Sequence, residues 1–251
     1  MKKILFILLC AFLLVGCIEK APKPTQVGTT QQDTINGVPC VVYLPNGWEK
    51  VKNKKSKNKI KYPVLYLQHG MVGNEFDWTV KGNLVGIMDS LLHAKKVVEM
   101  VVIMPDNCPA RRTHAEEFTN ATNGEWEKNF ALFMAESERK YPISNEPSQR
   151  AIAGLSMGGY HTMKVSSLLD GQFAYVGMFS AATMGPEMPS EPALLWLAIG
   201  KDDFLYMPFK GYLHWLDKQN RTYTYYETEG GHEWPNWQDY ITRFLQICFQ
   251  P

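Results

Sequence analysis

Residues 151–160 read AIAGLSMGGY, an apolar run that breaks at Ser156. Gly154 and Gly158 bracket Ser156 in the spacing G-x-S-x-G, which a serine on a sharp strand-to-helix turn requires because side chains at the flanking positions would collide. Such a turn exposes the hydroxyl at the N-terminus of a helix, where developing negative charge is stabilised. Glycine-rich turns containing serine also occur as plain connections. The rest of the chain therefore decides between a nucleophile and a simple turn.

The N-terminal segment is typical of an exported bacterial lipoprotein. Two lysines precede an apolar run at residues 4–15 that is too short to span a bilayer. We interpret residues 1–16 as a signal peptide and the sequence LVGC at residues 14–17 as a lipobox, with Cys17 as the lipidated residue. Residues 17–33 are polar with two prolines, which predicts a flexible tether. We expect a protein on the periplasmic face or the cell surface that contacts the membrane through its lipid anchor only.

Composition narrows the class of the remaining chain. The full chain has 26 basic and 25 acidic side chains, and without Lys2 and Lys3 of the signal peptide the formal charge is −1, which does not indicate a nucleic-acid partner. The length of residues 34–251 suits a single domain with a large core. Cys40, Cys108 and Cys248 lack metal-binding spacing, so buried thiols are the default interpretation, and the sequence leaves any pairing among them open.

Apolar runs and helical patterns alternate along this domain. Strands are predicted at residues 38–44, 63–68, 97–104, 150–155, 173–179, 193–199 and 222–227. Helices are predicted at residues 80–96, 124–140, 159–169, 209–219 and 235–249. This alternation predicts an α/β fold, a three-layer sandwich with a mostly parallel central sheet. Sites in such sheets lie at the carboxyl ends of the strands.

Candidate partners for Ser156 follow two of these strands. An aspartate pair, Asp202 and Asp203, comes after residues 193–199, and His232 comes after residues 222–227. A nucleophilic serine needs a base, and the base needs an orienting acid. Serine, aspartate and histidine in this chain order, each just beyond a strand, is the order of the α/β-hydrolase triad. The pattern leaves either aspartate as the acid.

A second loop supplies a candidate oxyanion hole. The strand at residues 63–68 ends in His69-Gly70-Met71, where a backbone N–H can face the nucleophile. We predict that the N–H groups of Met157 and Met71 are the two donors. His69 itself stands at a strand end before glycine, which favours a structural role over a catalytic one.

Together these pieces resemble the "Putative esterase" family of α/β-hydrolases, which includes feruloyl and acetyl xylan esterases of carbohydrate esterase family one and relatives of esterase D. The matching stretches are YPVLYLQHG at 62–70, AGLSMGG at 153–159, GKDD at 200–203 and GGHEWPNW at 230–237. The resemblance implies Asp203 as the acid, because the family's acid ends a Gly-x-x-Asp group. It also implies no metal and no organic cofactor. Met71 departs from the smaller residue of many relatives, which bears on pocket shape.

The resemblance implies a serine esterase that removes feruloyl or acetyl groups from xylan through an acyl-enzyme. Trp234 and Trp237 flank His232 and are candidate walls for a sugar or aromatic ring, and His114 lies in an irregular segment near the site. Two alternatives stay open, an acyltransferase of the mycolyltransferase type and a glycan-binding surface lipoprotein without catalysis. The sequence does not fix the acyl group, the sugar or the oligomeric state.

Overall fold

The computed structural model covers most of the predicted domain. It describes residues 28–52, 61–108, 123–185 and 187–250. Cys17 and His114, and with them the predicted signal peptide, lie outside the described residues. No helix within the described ranges is both long and apolar enough to cross a membrane.

The described part of the chain forms one sheet of eight strands in the order β1-β2-β4-β3-β5-β6-β7-β8. Their bounds are β1 Gly28–Ile35, β2 Val38–Pro45, β3 Val64–Gln68, β4 Val101–Pro105, β5 Arg150–Leu155, β6 Tyr175–Phe179, β7 Leu194–Gly200 and β8 Thr224–Thr228. Strand β2 is antiparallel to β1 and to β4. All the other pairs are parallel. The predicted mostly parallel sheet is therefore confirmed.

Helices cover both faces of this sheet. In the described ranges they are α1 Trp48–Lys52, α2 Asp77–Val80, α3 Leu84–His93, α4 Glu125–Lys140, α5 Met157–Leu168, α6 Tyr206–Lys218 and α7 Trp234–Ile247. One core contains side chains of α4, α5 and α6, and the other contains side chains of α2, α3 and α7. Consecutive residues of a strand point into opposite cores: Tyr66 packs in the first core and Leu67 in the second. Burying each large apolar side chain contributes about 1.5–3 kcal/mol to the free energy of folding. The central strands bury side chains on both of their faces.

The first strand corrects the predicted tether and domain boundary. Residues 28–33, assigned to the flexible tether by composition, belong to β1, which pairs with β2 along its whole length. Most β1 side chains are polar and exposed, so the strand is held by its backbone hydrogen bonds and shows no apolar pattern. The turn after β1 does have a sequence signal, because Asn-Gly is typical of two-residue hairpins. Asn36 and Gly37 both have positive φ (48° and 78°) and close such a hairpin.

The basic segment after β2 is described by the structure only at its ends, and its first residues are helical. We expect a solvated loop from Lys50 to Lys61 on its charge pattern. The structure instead continues the turn after β2 into α1, which ends at Lys52. Residues 53–60 lie outside the described part of the chain.

Candidate active site

The Ser156 turn has the backbone geometry that the glycine spacing predicts. Ser156 lies between β5 and α5 with φ 54° and ψ −117°, a region that costs a residue with a side chain about 1–3 kcal/mol. A Cβ on Gly154 would lie 2.4 Å from the carbonyl oxygen of Gly158, and a Cβ on Gly158 would lie 2.4 Å from that of His69. Glycine at both positions is therefore a steric requirement of this turn.

Neighbouring segments hold this strained residue in place. The Ser156 N–H donates to the carbonyl oxygen of Phe179 at 2.9 Å. The Ser156 carbonyl oxygen accepts from the N–H of Ala182 at 3.0 Å and from the N–H of Tyr160 at 3.1 Å. Because β6, the loop after it and α5 all bond to one residue, the strain persists without local relaxation.

Asp203 and His232 form a hydrogen-bonded pair at the site. The imidazole Nδ1 of His232 lies 2.8 Å and 3.0 Å from the two carboxylate oxygens of Asp203. Asp203 is 4% exposed and also accepts the N–H of Leu205 at 2.8 Å. Burial raises the pKa of Asp203, but hydrogen bonds from His232, Leu205 and Ser180 outweigh it and leave the pKa below its ordinary value. The competing Asp202 is exposed and faces solvent.

The acid fixes which imidazole nitrogen is available to a substrate. Since Asp203 occupies Nδ1, that nitrogen carries the proton and Nε2 is left as the basic atom. Ser156 and His232 line the same cleft, which has a volume of about 290 Å³. Within the described residues, the Ser156 hydroxyl makes no hydrogen bond to the imidazole. Catalytic hydrogen bonds of this kind are often long in free enzymes and tighten with substrate.

Aromatic rings hold the imidazole from two directions. The ring centroid of Trp237 lies 4.9 Å from that of His232 at 88°, and that of Phe204 lies 4.5 Å from it at 50°. Trp237 is 6% exposed, and its indole N–H donates to the Ser180 hydroxyl at 3.1 Å. Trp234 packs on Trp237 at 5.1 Å and is half-buried. Both predicted tryptophans line the cleft, Trp237 chiefly as a buried support of the imidazole.

The loop after β3 presents Met71 beside the nucleophile. The Gly70 carbonyl oxygen lies 2.7 Å from His69 Nδ1 and accepts the N–H of Gly73 at 3.1 Å. The peptide is trans, so its N–H, that of Met71, points opposite to this anchored carbonyl. A Cβ on Gly70 would lie 3.3 Å from the Ser156 Cβ, which shows how closely the loop approaches the turn. Met157 begins α5 on the other side of Ser156, and Met71 lines the cleft with Ser156, so the assignment of these two N–H groups as donors stays a prediction.

His69 is a buried part of this loop. Its ring is 1% exposed, and its Nε2 lies 3.2 Å from the N–H of Asn107, which fits an acceptor there and a donor at Nδ1. The Asn107 side chain donates to the His69 carbonyl oxygen at 3.0 Å. Asp106 Oδ1 also lies 3.3 Å from Nε2. These contacts match the structural role expected for His69.

Other candidate chemistry lies elsewhere or outside the described ranges. Among the residues the structure describes, no cluster of three or more histidine, cysteine or acidic side chains could hold a metal ion. Cys40, Cys108 and Cys248 are all buried, and Cys40 and Cys248 are free thiols. Burial raises the pKa of both these thiols, so they are poor nucleophiles.

Comparison with known proteins identifies the family. The family model described as "Putative esterase" matches residues 35–205. The chain belongs to this family. It is 32% identical over 170 residues to an endo-1,4-beta-xylanase/feruloyl esterase of Xylanibacter ruminicola, a match that covers 64% of this chain and 22% of the relative. It is 23% identical over 247 residues to an acetyl esterase of Caldicellulosiruptor saccharolyticus, covering 81% of this chain and 89% of that one.

Solved structures agree on the α/β-hydrolase fold. A ferulic acid esterase from Anaeromyces mucronatus superposes with a TM-score of 0.72 at 21% identity, covering 92% of this chain and 94% of that one. An S-formylglutathione hydrolase from Staphylococcus aureus gives a TM-score of 0.70 at 18% identity, covering 89% and 96%. At these identities the likeness shows the fold of the esterase family and no substrate.

Sequence reasoning missed two residues of the site. Ser180, at the end of β6, has φ 45° and joins Trp237 to the acid Asp203. Its position just after a predicted strand was the available signal. Phe204 follows Asp203 directly, but nothing in the sequence indicates that its ring turns toward His232 and solvent.

Proposed function

We propose that this chain is a serine carboxylic-ester hydrolase that works through an acyl-enzyme. The observation that carries the proposal is the hydrogen-bonded pair of Asp203 and His232 in one cleft with Ser156, a serine on a strained turn. Nucleophile, base and orienting acid are the three groups that acyl transfer requires. Membership of the esterase family supports the same activity.

The proposed reaction proceeds in two halves. His232 Nε2 takes the proton of the Ser156 hydroxyl as its oxygen bonds to the ester carbonyl carbon. The tetrahedral intermediate then breaks its bond to the alcohol oxygen, which receives that proton from His232, and the acyl group stays on Ser156. Water repeats the sequence, losing its proton to His232 and releasing the acid and the serine.

In this proposal, backbone N–H groups stabilise the negative charge that develops on the carbonyl oxygen. The N–H groups of Met157 and Met71 hold the oxyanion of each tetrahedral intermediate, and each donor lowers the barrier by about 3 kcal/mol. Asp203 holds the Nδ1–H tautomer and stabilises the imidazolium that forms. The donors are backbone groups, so side-chain substitutions at Met71 should alter pocket shape before they alter chemistry.

For the substrate we propose feruloyl or acetyl esters of xylan. The names of the two curated relatives, a xylanase/feruloyl esterase and an acetyl esterase, support this class. The predicted signal peptide and Cys17 anchor support a location outside the cytoplasm, where such polymers occur. Trp234 and Trp237 in the cleft suit an aromatic acyl group or a sugar.

The test is hydrolysis by the protein lacking residues 1–16 and its Ser156→Ala variant. Methyl ferulate, a simple acetate ester and acetylated xylan serve as substrates, with Ser148→Ala as a matched control because Ser148 is exposed and precedes β5, at the opposite end of that strand from the turn. We expect loss of turnover by at least about 10⁴-fold in Ser156→Ala only. Hydrolysis that survives this change refutes the proposal.

The lipid anchor is tested separately, in the full chain with residues 1–16. Radiolabelled palmitate that enters Cys17→Ala as well as wild type refutes Cys17 as the lipidated residue.

A further inference from the structure

Phe204 presents an exposed aromatic ring beside the base. The side chain is 73% exposed, although a phenylalanine normally gains about 1.5–3 kcal/mol by burial. Its ring centroid lies 4.5 Å from that of His232. Because this ring is exposed directly beside His232, it is available to contact a molecule bound there.

Hydrogen bonds anchor the backbone on both sides of Phe204. The N–H of Asp203 donates to the Gly200 carbonyl oxygen at 3.2 Å, and the N–H of Tyr206 donates to the Asp203 carbonyl oxygen at 2.8 Å. The N–H of Leu205 bonds to the Asp203 carboxylate. Phe204 therefore sits between anchored neighbours and not on a freely moving loop.

The buried side of the imidazole already has its support. Trp237 packs against His232 edge-on and is tied to Ser180, so the ring orientation is fixed from inside. Phe204 contacts the same imidazole but is not part of the lining of the 290 Å³ cleft. It therefore lies just outside the cleft, on the solvent side of His232.

The proposed mechanism determines which part of the substrate lies beside Phe204. His232 must give its proton to the alcohol oxygen as that group leaves, so the alcohol part of the ester lies next to the imidazole. A cleft of about 290 Å³ is at the small end of ligand pockets, so the alcohol part of a carbohydrate ester extends beyond it.

We propose that Phe204 forms the alcohol-side subsite and packs against the sugar ring that carries the ester. The inference rests on the proposed function and adds the position of the sugar to it. The C–H-rich face of a sugar ring offers apolar surface of the size of one aromatic ring. The exposed, anchored ring of Phe204 provides the matching surface where the leaving sugar must lie.

The experiment separates the alcohol from the acyl group. Methyl ferulate and 5-O-feruloyl-arabinofuranose share their acyl group and differ in alcohol, and methyl acetate tests the acyl side. Each is assayed with wild type, Phe204→Ala and Phe204→Trp. Leu168→Ala is the matched control, because Leu168 is an equally apolar side chain, 57% exposed, at the far end of α5.

We expect Phe204→Ala to lower the ratio of kcat/KM for the sugar ester over the methyl ester by about tenfold, mostly through KM, since an aromatic packing contact has that magnitude. Phe204→Trp should restore the ratio, and Leu168→Ala should not change it.

An equal loss for both ferulates, with a shifted pH profile, would mean that the ring only shields His232 and would overturn the inference. A loss confined to ferulates over acetate would place the ring on the acyl side and overturn it too. An active wild type with an unchanged ratio in Phe204→Ala refutes the subsite alone. A wild type that cleaves none of the esters refutes the proposed function and the inference with it.

Discussion

The Nδ1 atom of His69 lies 2.7 Å from the carbonyl oxygen of Gly70, the residue that precedes Met71. This contact orients the peptide between Gly70 and Met71, and His69 itself takes no part in the proposed reaction. Because the peptide is trans, the N–H of Met71 points opposite to the anchored carbonyl, and Met71 lines the same cleft as Ser156. A buried imidazole thus sets the direction of a predicted oxyanion donor.

We expect His69→Ala to lower kcat by about 10–100-fold with little change in KM, because the misaligned donor acts mainly in the transition state. Steady-state kinetics with methyl ferulate, alongside a thermal unfolding curve, provides the measurement. His93→Ala, at the end of α3, is the matched control. A rise in KM at constant kcat would show that His69 shapes the pocket and does not set the donor.

The adjacent aspartates offer a sharp test of the acid. Asp203→Asn should reduce kcat by about 10³–10⁴-fold near neutral pH, because the amide no longer holds the imidazole in the reactive tautomer. Asp202→Asn removes the same charge one residue away, from an exposed side chain, and should leave kcat within about twofold of wild type. Comparable losses in the two variants would be incompatible with the assignment of Asp203.

The lowered pKa of Asp203 also predicts how stability depends on pH. A carboxyl whose folded pKa lies below its ordinary value of 3.8 contributes stability that is present above that value and lost as pH falls through the folded pKa. We expect the free energy of unfolding in urea to drop between about pH 5 and pH 2. Asp203→Asn should flatten part of that drop. An identical pH slope in wild type and variant would contradict the shift.

The hairpin between β1 and β2 can be tested through its turn. Gly37→Ala should destabilise the fold by about 1 kcal/mol, because Gly37 has φ 78° and a Cβ is strained there. Gly211→Ala, on an exposed position of α6 with open space around it, should be neutral or stabilising by about 0.5–1 kcal/mol. Chemical denaturation measures both. Equal effects would show that the turn conformation is not what matters at Gly37.

The central sheet was predictable because its strands are buried on both faces. The strand at residues 150–155 has the same bounds in the structure, and β2, β3 and β7 differ from prediction by a residue at one end or both. Continuous apolar runs are a strong signal of this kind. The missed strand β1 lacks such a run, because it is held by backbone bonds at the sheet edge and its side chains are mostly polar.

The candidate site divides in the same way. Glycine spacing and chain order pointed to Ser156 and His232, because sterics and topology leave their mark on sequence. The roles of Ser180 and Phe204 depend on side-chain direction at loop positions, which no periodicity encodes. Between Asp202 and Asp203, only the structure shows which carboxylate is buried against the imidazole. The catalytic roles themselves stay predictions until the variants are measured.

The strand order predicts which part of the site unfolds first in denaturant. Ser156 follows the central strand β5, whereas His232 follows β8, an edge strand that pairs only with β7 among the residues the structure describes. Edge strands open by local unfolding at lower free energy than central ones. We expect mild denaturant to abolish turnover before the main unfolding transition, leaving the nucleophile turn intact but without its base. Loss of activity that coincides with global unfolding would show instead that β8 is as firmly held as the centre of the sheet.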